Sequence, residues 1–568
     1  MGVAEWRQDD PGIAPAGDVY GGGSPTGNVF YENGALGASW EGTFFAADAG
    51  RNEVYAYRPA RDGAGFALDH RQIMLTSNPA QQYAGSDFVG GNATAKGATE
   101  TLFRPSDIAV GPDGALYVSD WIDPRVGGHV DLDDTLSGAI YRIAPKGFVS
   151  KVPSFDATTI DLVLLTHAHL DHCGRLPLLD KRGFRGEIIA TGATCELARL
   201  VMLDAAHLQE EDAEQRARHA GRHGAEPADA RPLYTVADAR NCLDKFKQTA
   251  AYDQPLELFP GVRATVIDAG HILGSASIVL DLAEDGRGLK LIFSGDLGNA
   301  GRPLLRGPAT PPKADVAVVE TTYGDRLHKP LGPSIEEFYA AITDTFRRGG
   351  NVVIPTFALE RAQELLSILH HGIEIGRLAN TIQVFLDSPM AISATEVFKR
   401  FPESLDDQTA KLIASGGDPL SLPGLHLTRT TAESMAINKI RGGAVIMAGS
   451  GMCTGGRIRH HLKHNLERGN ASIVFVGYQG VGTLGRQIVD GAKAVRVLGE
   501  EIAVRARVYT INGFSAHADQ AELLTWHRHT GAPRTFLTHG EEATMGKFAA
   551  MLSGTKVEMP TLGQSFEL

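Results

Sequence analysis

Cysteine is scarce in this chain. There are four in 568 residues, Cys173, Cys195, Cys242 and Cys453, far apart and with no Cys-x-x-Cys pair. That spacing indicates neither a disulfide-stapled framework nor a thiolate zinc finger, and it predicts reduced, mostly structural thiols. No apolar run approaches the roughly 18 residues of a membrane span. The opening MGVAEWRQDDPGIAPAGDVYGGG also lacks the basic-then-apolar pattern of a secretory signal. Cytoplasmic location and no membrane partner are therefore expected. Basic charge is not in excess either: the formal net charge is −13. Residues 1–150 account for most of it, with 10 Lys and Arg against 19 Asp and Glu, a net −9. The remainder is nearly balanced, which leaves room for a local basic groove that holds nucleic acid.

What is present falls into two textures, at a length suited to two to four domains. Residues 1–150 alternate short strands such as GTFFAAD, EVYAYR, ALYVSDW and GAIYRI with turns such as GPDGA. This composition is all-β and suits propeller blades. The stretch FRPSDIAVGPDGALYVSDW resembles a blade of the sugar-dehydrogenase-like six-bladed propellers. At about 40–45 residues per blade the segment supplies two or three blades, too few to close a ring. The acidic run Asp131 to Asp134 lacks the glycine and glutamate of a calcium loop and reads as solvated. From about Ile160 onward the texture is α/β: apolar runs such as LKLIFSG, ADVAVVET, NVVIPTF, TIQVFLDS and ASIVFVGY alternate with helical patterns such as ERAQELLSILHHG. The charged, Ala-rich stretch from Glu210 to Arg222 reads as an exposed helix and loop.

The sequence DLVLLTHAHLDHCG is the densest chemical signal. A short apolar run, Leu162 to Leu165, reads as a strand buried on both faces, and His167, His169, Asp171 and His172 follow it at once. Imidazoles and a carboxylate crowded at a strand end are costly to bury unpaired, and a divalent metal satisfies them together. Three further apolar strands end in a ligand type: His271 in VIDAGHILGSA, Asp296 in LIFSGDLG and His539 in RTFLTHGEE. Five His and two Asp suffice for two metals if one carboxylate bridges. Imidazole and carboxylate without thiolate favour zinc over manganese or iron. Two such ions generate a nucleophile near neutral pH and stabilise both oxygens of an in-line displacement, which fits phosphodiester hydrolysis.

The order HAHLDH, GHILGSA, FSGDLG is similar to the metallo-β-lactamase fold. VVETTYGDR with Glu320, FSAHAD with His517 and THGEE with His539 resemble motifs A, B and C of its β-CASP subgroup of RNA-cleaving enzymes. The resemblance covers about residues 156–568. It implies an αββα sandwich in two parts, residues 156–325 and 500–568, separated by an inserted β-CASP domain at 326–499. Residue by residue it implies one zinc on His167, His169 and His271, a second on Asp171, His172 and His539, and Asp296 between them. His517 is then the general acid, held by Glu320, with Asp171 and Asp296 completing the catalytic set. Within the insert, PTFALERAQELL, LDSPMA, AGSGMCTGGRIRHHLKH and GYQGVGTLGR match family counterparts. They nominate Arg361, Ser388, Ser450, Gly451, Arg457 and Arg486 as substrate contacts. The glycine-rich loop before the helix of Arg457, Arg459, His460, Lys463 and His464 suggests a phosphate cradle.

The implied substrate is single-stranded RNA threading a groove between the domains, and many members dimerise. The chain departs from the family at its front. No aspartate ends an apolar strand near Ser137, about where members carry an aspartate-cysteine-glycine-like motif, so the first strands of the hydrolase layer are expected to be absent. The join to the propeller-like segment is expected between Lys146 and Phe155. Two alternatives stay open: a single-stranded DNA nuclease, and a catalytically impaired chain that still binds RNA or a partner.

Overall fold

The computed structural model describes residues 25–31, 36, 39–48, 53–62, 65–76, 105–110, 115–120, 139–144, 156–222, 232–477, 479–480, 482–561 and 564–568. The chain divides into two compact units, one dominated by residues 1–155 and the other by 156–560.

In the first unit the expected β-rich character is found. Four antiparallel strands, Pro25–Tyr31, Thr43–Asp48, Glu53–Asp62 and Gly65–Thr76, form a meander in sequence order. Pro105–Val110, Leu116–Asp120 and Ala139–Ile143 form a second antiparallel sheet. Alternation sets the faces: Phe45 and Ala47 are buried along Thr43–Asp48 and join Tyr31, Val54, Leu116 and Val118 in one core. The described strands make two open sheets, and a propeller finds no support beyond this β content. Asp131 to Asp134 and the join between Lys146 and Phe155 lie outside the described residues.

The second unit is α/β. Its largest sheet has seven strands in the order Leu256–Phe259, Val262–Asp268, Ala276–Glu284, Arg287–Phe293, Val316–Glu320, Arg534–Thr538 and Lys556–Glu558. The first four run antiparallel, and the last four are mutually parallel. Asp285 and Gly286 join Ala276–Glu284 to Arg287–Phe293 with φ of 49° and 76°. Both being positive, this Asp-Gly pair makes the tight hairpin whose twist matches its strands.

A second, three-stranded parallel sheet runs Gln248–Ala250, Glu187–Thr191, Leu162–Leu164. Leu162–Leu164 stands at its edge with all three residues half-buried. The sequence reading of a strand covered on both faces is thus too strong. Among the described residues no strand pairs with its outer side, the kind of open edge that missing first strands leave. The helix Gly192–Arg222, 31 residues long, confirms helix through the Ala-rich stretch.

The third sheet is parallel, six-stranded, ordered Leu425–Leu427, Gln383–Leu386, Ala444–Ala448, Val352–Pro355, Ser472–Phe475, Arg507–Thr510. Every residue of Val352–Pro355, Ala444–Ala448 and Ser472–Phe475 is buried, as expected for central parallel strands covered on both faces. Helix Leu331–Arg347 buries Phe338, Tyr339 and Ile342, and helix Arg361–Glu374 buries Leu365, Leu366 and Leu369. Each such side chain removed from water contributes roughly 1.5–3 kcal/mol.

Candidate metal centre and catalytic cavity

The polar cluster gathers at strand ends. Leu162–Leu164 leads to His167; the short helical turn Leu170–Cys173 carries Asp171 and His172, with His169 just before it. His271 follows Val262–Asp268, and Asp296 follows Arg287–Phe293. Glu320 is the last residue of Val316–Glu320, and it pairs with Thr538, the residue before His539. Parallel neighbours thus deliver their C-terminal ends, and with them Asp296, Glu320 and His539, to one place. His539 is held at a φ of 50°, in the left-handed region, and a Cβ on the next residue, Gly540, would lie 2.3 Å from Thr321 Oγ1. Glycine is required there by the close approach of the two strand ends.

All seven expected ligands converge. Donor atoms of His167, His169, His271 and Asp296 lie within 4.8 Å of one another, and so do those of Asp171, His172 and His539. Asp296 links the groups: Oδ2 is 3.4 Å from both His167 Nε2 and His172 Nε2, while Oδ1 is 3.3 Å from His539 Nδ1. His169 Nδ1 faces His167 Nε2 at 3.1 Å and His271 Nε2 at 3.0 Å. His271 Nδ1 lies 3.2 Å from the Ala516 carbonyl, which can only accept. The proton therefore sits on Nδ1, leaving the Nε2 lone pair pointing into the cluster.

The donor set fits a metal. His172 Nε2 and Asp296 Oδ1 are buried without a hydrogen-bond partner, an arrangement that costs stability unless a cation satisfies it. Burial pushes His167 and His271 well below the usual imidazole range and His169 down to about 4. They are neutral, as ligation requires. Burial pushes the Asp296 carboxyl up, but His172, His271 and His167 outweigh it and hold Asp296 well below the ordinary range, as an anion. Hydrogen bonding between Asp171 and His539 lowers the Asp171 carboxyl and pushes His539 up to about 9. Thr322 Oγ1 stands 3.1 Å from His539 Nδ1.

Beside the cluster, His517 Nδ1 lies 3.2 Å from Glu320 Oε1. Glu320 is buried, and it also accepts from the amides of Leu297 at 2.8 Å and Thr322 at 3.1 Å. Burial, the largest influence on His517, pushes its imidazolium down. The charge and hydrogen bond of Glu320 and the charge of Asp296 together leave it above the usual value. His328 donates from Nε2 to the His517 carbonyl at 3.0 Å. Its ring packs on Tyr323 with centroids 4.6 Å apart. His517, Tyr323 and, of the metal-type ligands, His169, Asp171, His271 and His539 line a cavity of about 1090 Å³ whose other wall comes from the parallel six-stranded sheet and its loops.

The sequence agrees with this architecture over most of its length. Residues 126–355 match the metallo-β-lactamase superfamily, 362–488 the β-CASP domain, and 501–560 the Zn-dependent metallo-hydrolase RNA specificity domain. Ribonuclease TTHA0252 of Thermus thermophilus is 40% identical over 419 residues, covering 72% of this chain and 88% of the relative. The chain belongs to the β-CASP branch of the metallo-β-lactamase superfamily. An RNase J-like protein of Methanocaldococcus jannaschii is 29% identical over 415 residues, 72% of this chain and 88% of that one. Transcription termination factor FttA of the same organism is 31% identical over 409 residues, 70% of this chain and only 61% of the factor.

Against the β-CASP insert the nominated substrate contacts divide. Ser388, Ser450, Gly451, Arg361 and Arg457 line the cavity. Arg486 does not: it pairs with Asp490 on an exposed face, Nε to carboxylate at 2.9 Å. Arg457 lines the cavity, but its donors are spent inside the insert, on Asp387 at 2.7 Å and on the carbonyls of Thr428 and Arg429 at 3.1 and 2.7 Å. Arg361 is ion-paired with Glu364, which also takes Arg302 bidentately. The cradle is likewise half realised. The loop from Gly449 to Gly456 reaches the cavity, while Arg459, His460, Lys463 and His464 lie away from it. Pairing with buried acids, invisible in sequence, is what engages Arg361 and Arg457. Sequence reading passed over His328, Tyr323, Thr322, Phe357 and Glu360 in the cavity or just behind it. Thr322 and Tyr323 lie inside the matched VVETTYGDR, Phe357 and Glu360 inside PTFALERAQELL, and His328 two residues past the first, so each stood close enough to a motif to be suspected.

Proposed function

We propose that this chain is a ribonuclease that hydrolyses phosphodiester bonds of single-stranded RNA at a two-zinc centre. What carries the reading is the convergence of seven metal-type ligands with a carboxylate-held histidine at one cavity. His167, His169 and His271 would hold one ion, Asp171, His172 and His539 the other, and Asp296 both. Zinc in that position supplies acidification of water and neutralisation of phosphate charge. The chain's own groups do the rest. His517, held above the ordinary imidazole range by Glu320 and Asp296 against the effect of burial, gives its proton to the leaving oxygen. Glu320 fixes the Nδ1–H tautomer so that Nε2 is the atom that delivers the proton, and it stabilises the imidazolium before transfer. The insert closes the cavity over the bond, excluding bulk water and admitting a single strand more readily than a stiff duplex.

A catalytically impaired RNA-binding protein is the second reading, favoured by Leu162–Leu164, the strand that leads to His167, whose outer side no strand pairs with among the described residues. One experiment separates them. Zinc-loaded protein is incubated with 5′-labelled single-stranded RNA and the matching DNA, with and without chelator. Chelator-sensitive cleavage of RNA over DNA supports the nuclease; retarded but uncut RNA supports the impaired chain; cleavage of DNA alone would replace RNA with DNA as substrate.

A further inference from the structure

Phe357 follows the strand Val352–Pro355 and lines the catalytic cavity with 41% of its surface exposed. Its seat is built for it. A Cβ at Gly451 would lie 2.7 Å from Phe357 Cε2 and 2.8 Å from Cδ2, and one at Gly477 would lie 3.6 Å from Cε2. Gly451 has no left-handed φ, so glycine serves there for space rather than for conformation, whereas 3.6 Å at Gly477 is ordinary contact. The Cδ2–Cε2 edge lies against the Gly451 backbone while much of the ring stays open to the cavity.

The cavity's charge points the same way. The three arginines that line it, Arg326, Arg361 and Arg457, are each ion-paired with a carboxylate: Asp325, Glu364 and Asp387. The arginines of this wall are therefore already partnered where a polyanion would lie. A sugar-phosphate backbone has no apolar surface worth burying, whereas a nucleobase has two flat faces. Aromatic rings in single-strand channels use those faces, and each stack is worth roughly 1–3 kcal/mol and tolerates any base.

We infer that Phe357 is the stacking platform for one nucleobase of the RNA strand, with Gly451 kept small to seat it. The inference rests on the RNA-nuclease reading for its substrate class, and binding can be measured without cleavage. Full-length, zinc-loaded His517→Ala protein, which halts turnover, is titrated into fluorescein-labelled oligoribonucleotides carrying an abasic ribose at one position after another, followed by anisotropy. One position is expected to weaken binding by roughly 5- to 150-fold when its base is removed. Adding Phe357→Ala should weaken the intact oligonucleotide by the same factor and abolish the sensitivity at that position; Phe357→Trp should restore both. Unchanged melting temperatures exclude misfolding. Equal affinity with and without Phe357, or an abasic penalty that persists in Phe357→Ala, overturns the platform, as does an absence of any RNA binding. Should the platform hold while protein with His517 intact leaves RNA uncut, hydrolysis fails and the base site stands.

Discussion

Replacing Glu320 with glutamine keeps the side chain's shape and removes its charge, so it isolates what that carboxylate does for His517. The two groups are 3.2 Å apart and Glu320 is only 1% exposed, so solvent screens the pair weakly. An opposite charge at such a distance moves a titration by about 1–3 pH units. The sign follows from the role. A general acid works protonated, so activity is full below its pKa and is lost as pH rises through it. In the parent, the Glu320 contact sets that alkaline limb above the ordinary 6.5. In Glu320→Gln it should move down by about 1–3 units, with a tenfold loss per unit above the new limb. The amide must also turn its NH2 toward one of two backbone donors, Leu297 N–H or Thr322 N–H, leaving a clash in place of a hydrogen bond. That costs roughly 1–3 kcal/mol of stability. The assay is kcat/KM on labelled RNA across about pH 5.5 to 9.5, with zinc content checked at each end. An alkaline limb at the same pH in both proteins, at equal metal content, would refute the assignment of His517 as the acid.

Four further expectations follow from the geometry. His517→Ala should cut turnover by about 10²- to 10⁴-fold with metal content intact, whereas His167→Ala should lose metal, both read by elemental analysis beside a cleavage assay. Asp387 accepts from Thr428 at 2.8 Å, Ser434 at 2.5 Å, His461 at 2.7 Å and Arg457 at 2.7 Å; Asp387→Ala removes the buried carboxylate from all four and should cost about 3–5 kcal/mol in denaturant melts. Burial pushes the Asp387 carboxyl up, but those four donors outweigh it and hold it at about 2, so its contribution is present above the ordinary carboxylate range and fades as pH falls toward 2, a limb the variant should lack. Burial pushes Glu360 up to about 8, so its ionisation costs stability as pH rises from the usual carboxylate range through 8, and Glu360→Gln should melt progressively higher than the parent over that window. Arg486→Ala should leave RNA affinity unchanged, because its exposed ion pair with Asp490 is worth about 0–1 kcal/mol and stands apart from the cavity.

The metal centre was legible because its chemistry is local. Apolar strands ending in His or Asp announce both the element and the ligand, and His167, His169, Asp171, His172, His271, Asp296 and His539 all meet as the motifs imply. Substrate contacts were less legible because they depend on partners distant in sequence. Arg457 finds Asp387, 70 residues away, and nothing near either residue tells that the guanidinium is consumed. Phe357 reads as core in sequence, since PTFALERAQELL places it beside residues that are core. Its close packing on Gly451, a residue of another loop, is not visible there. The front segment shows the opposite weakness. The alternating strands were correctly read, yet strand composition says nothing about how sheets close, and the described strands give two open sheets.

The most direct test of the central claim is the metal content of the folded chain, measured by elemental analysis on protein that elutes as a single species after exposure to zinc. The account predicts two zinc ions per chain, held by ligands that already stand within 4.8 Å of one another in each group. Fewer than one per chain would mean that the open edge beside His167 has cost the centre its integrity, and would contradict the account.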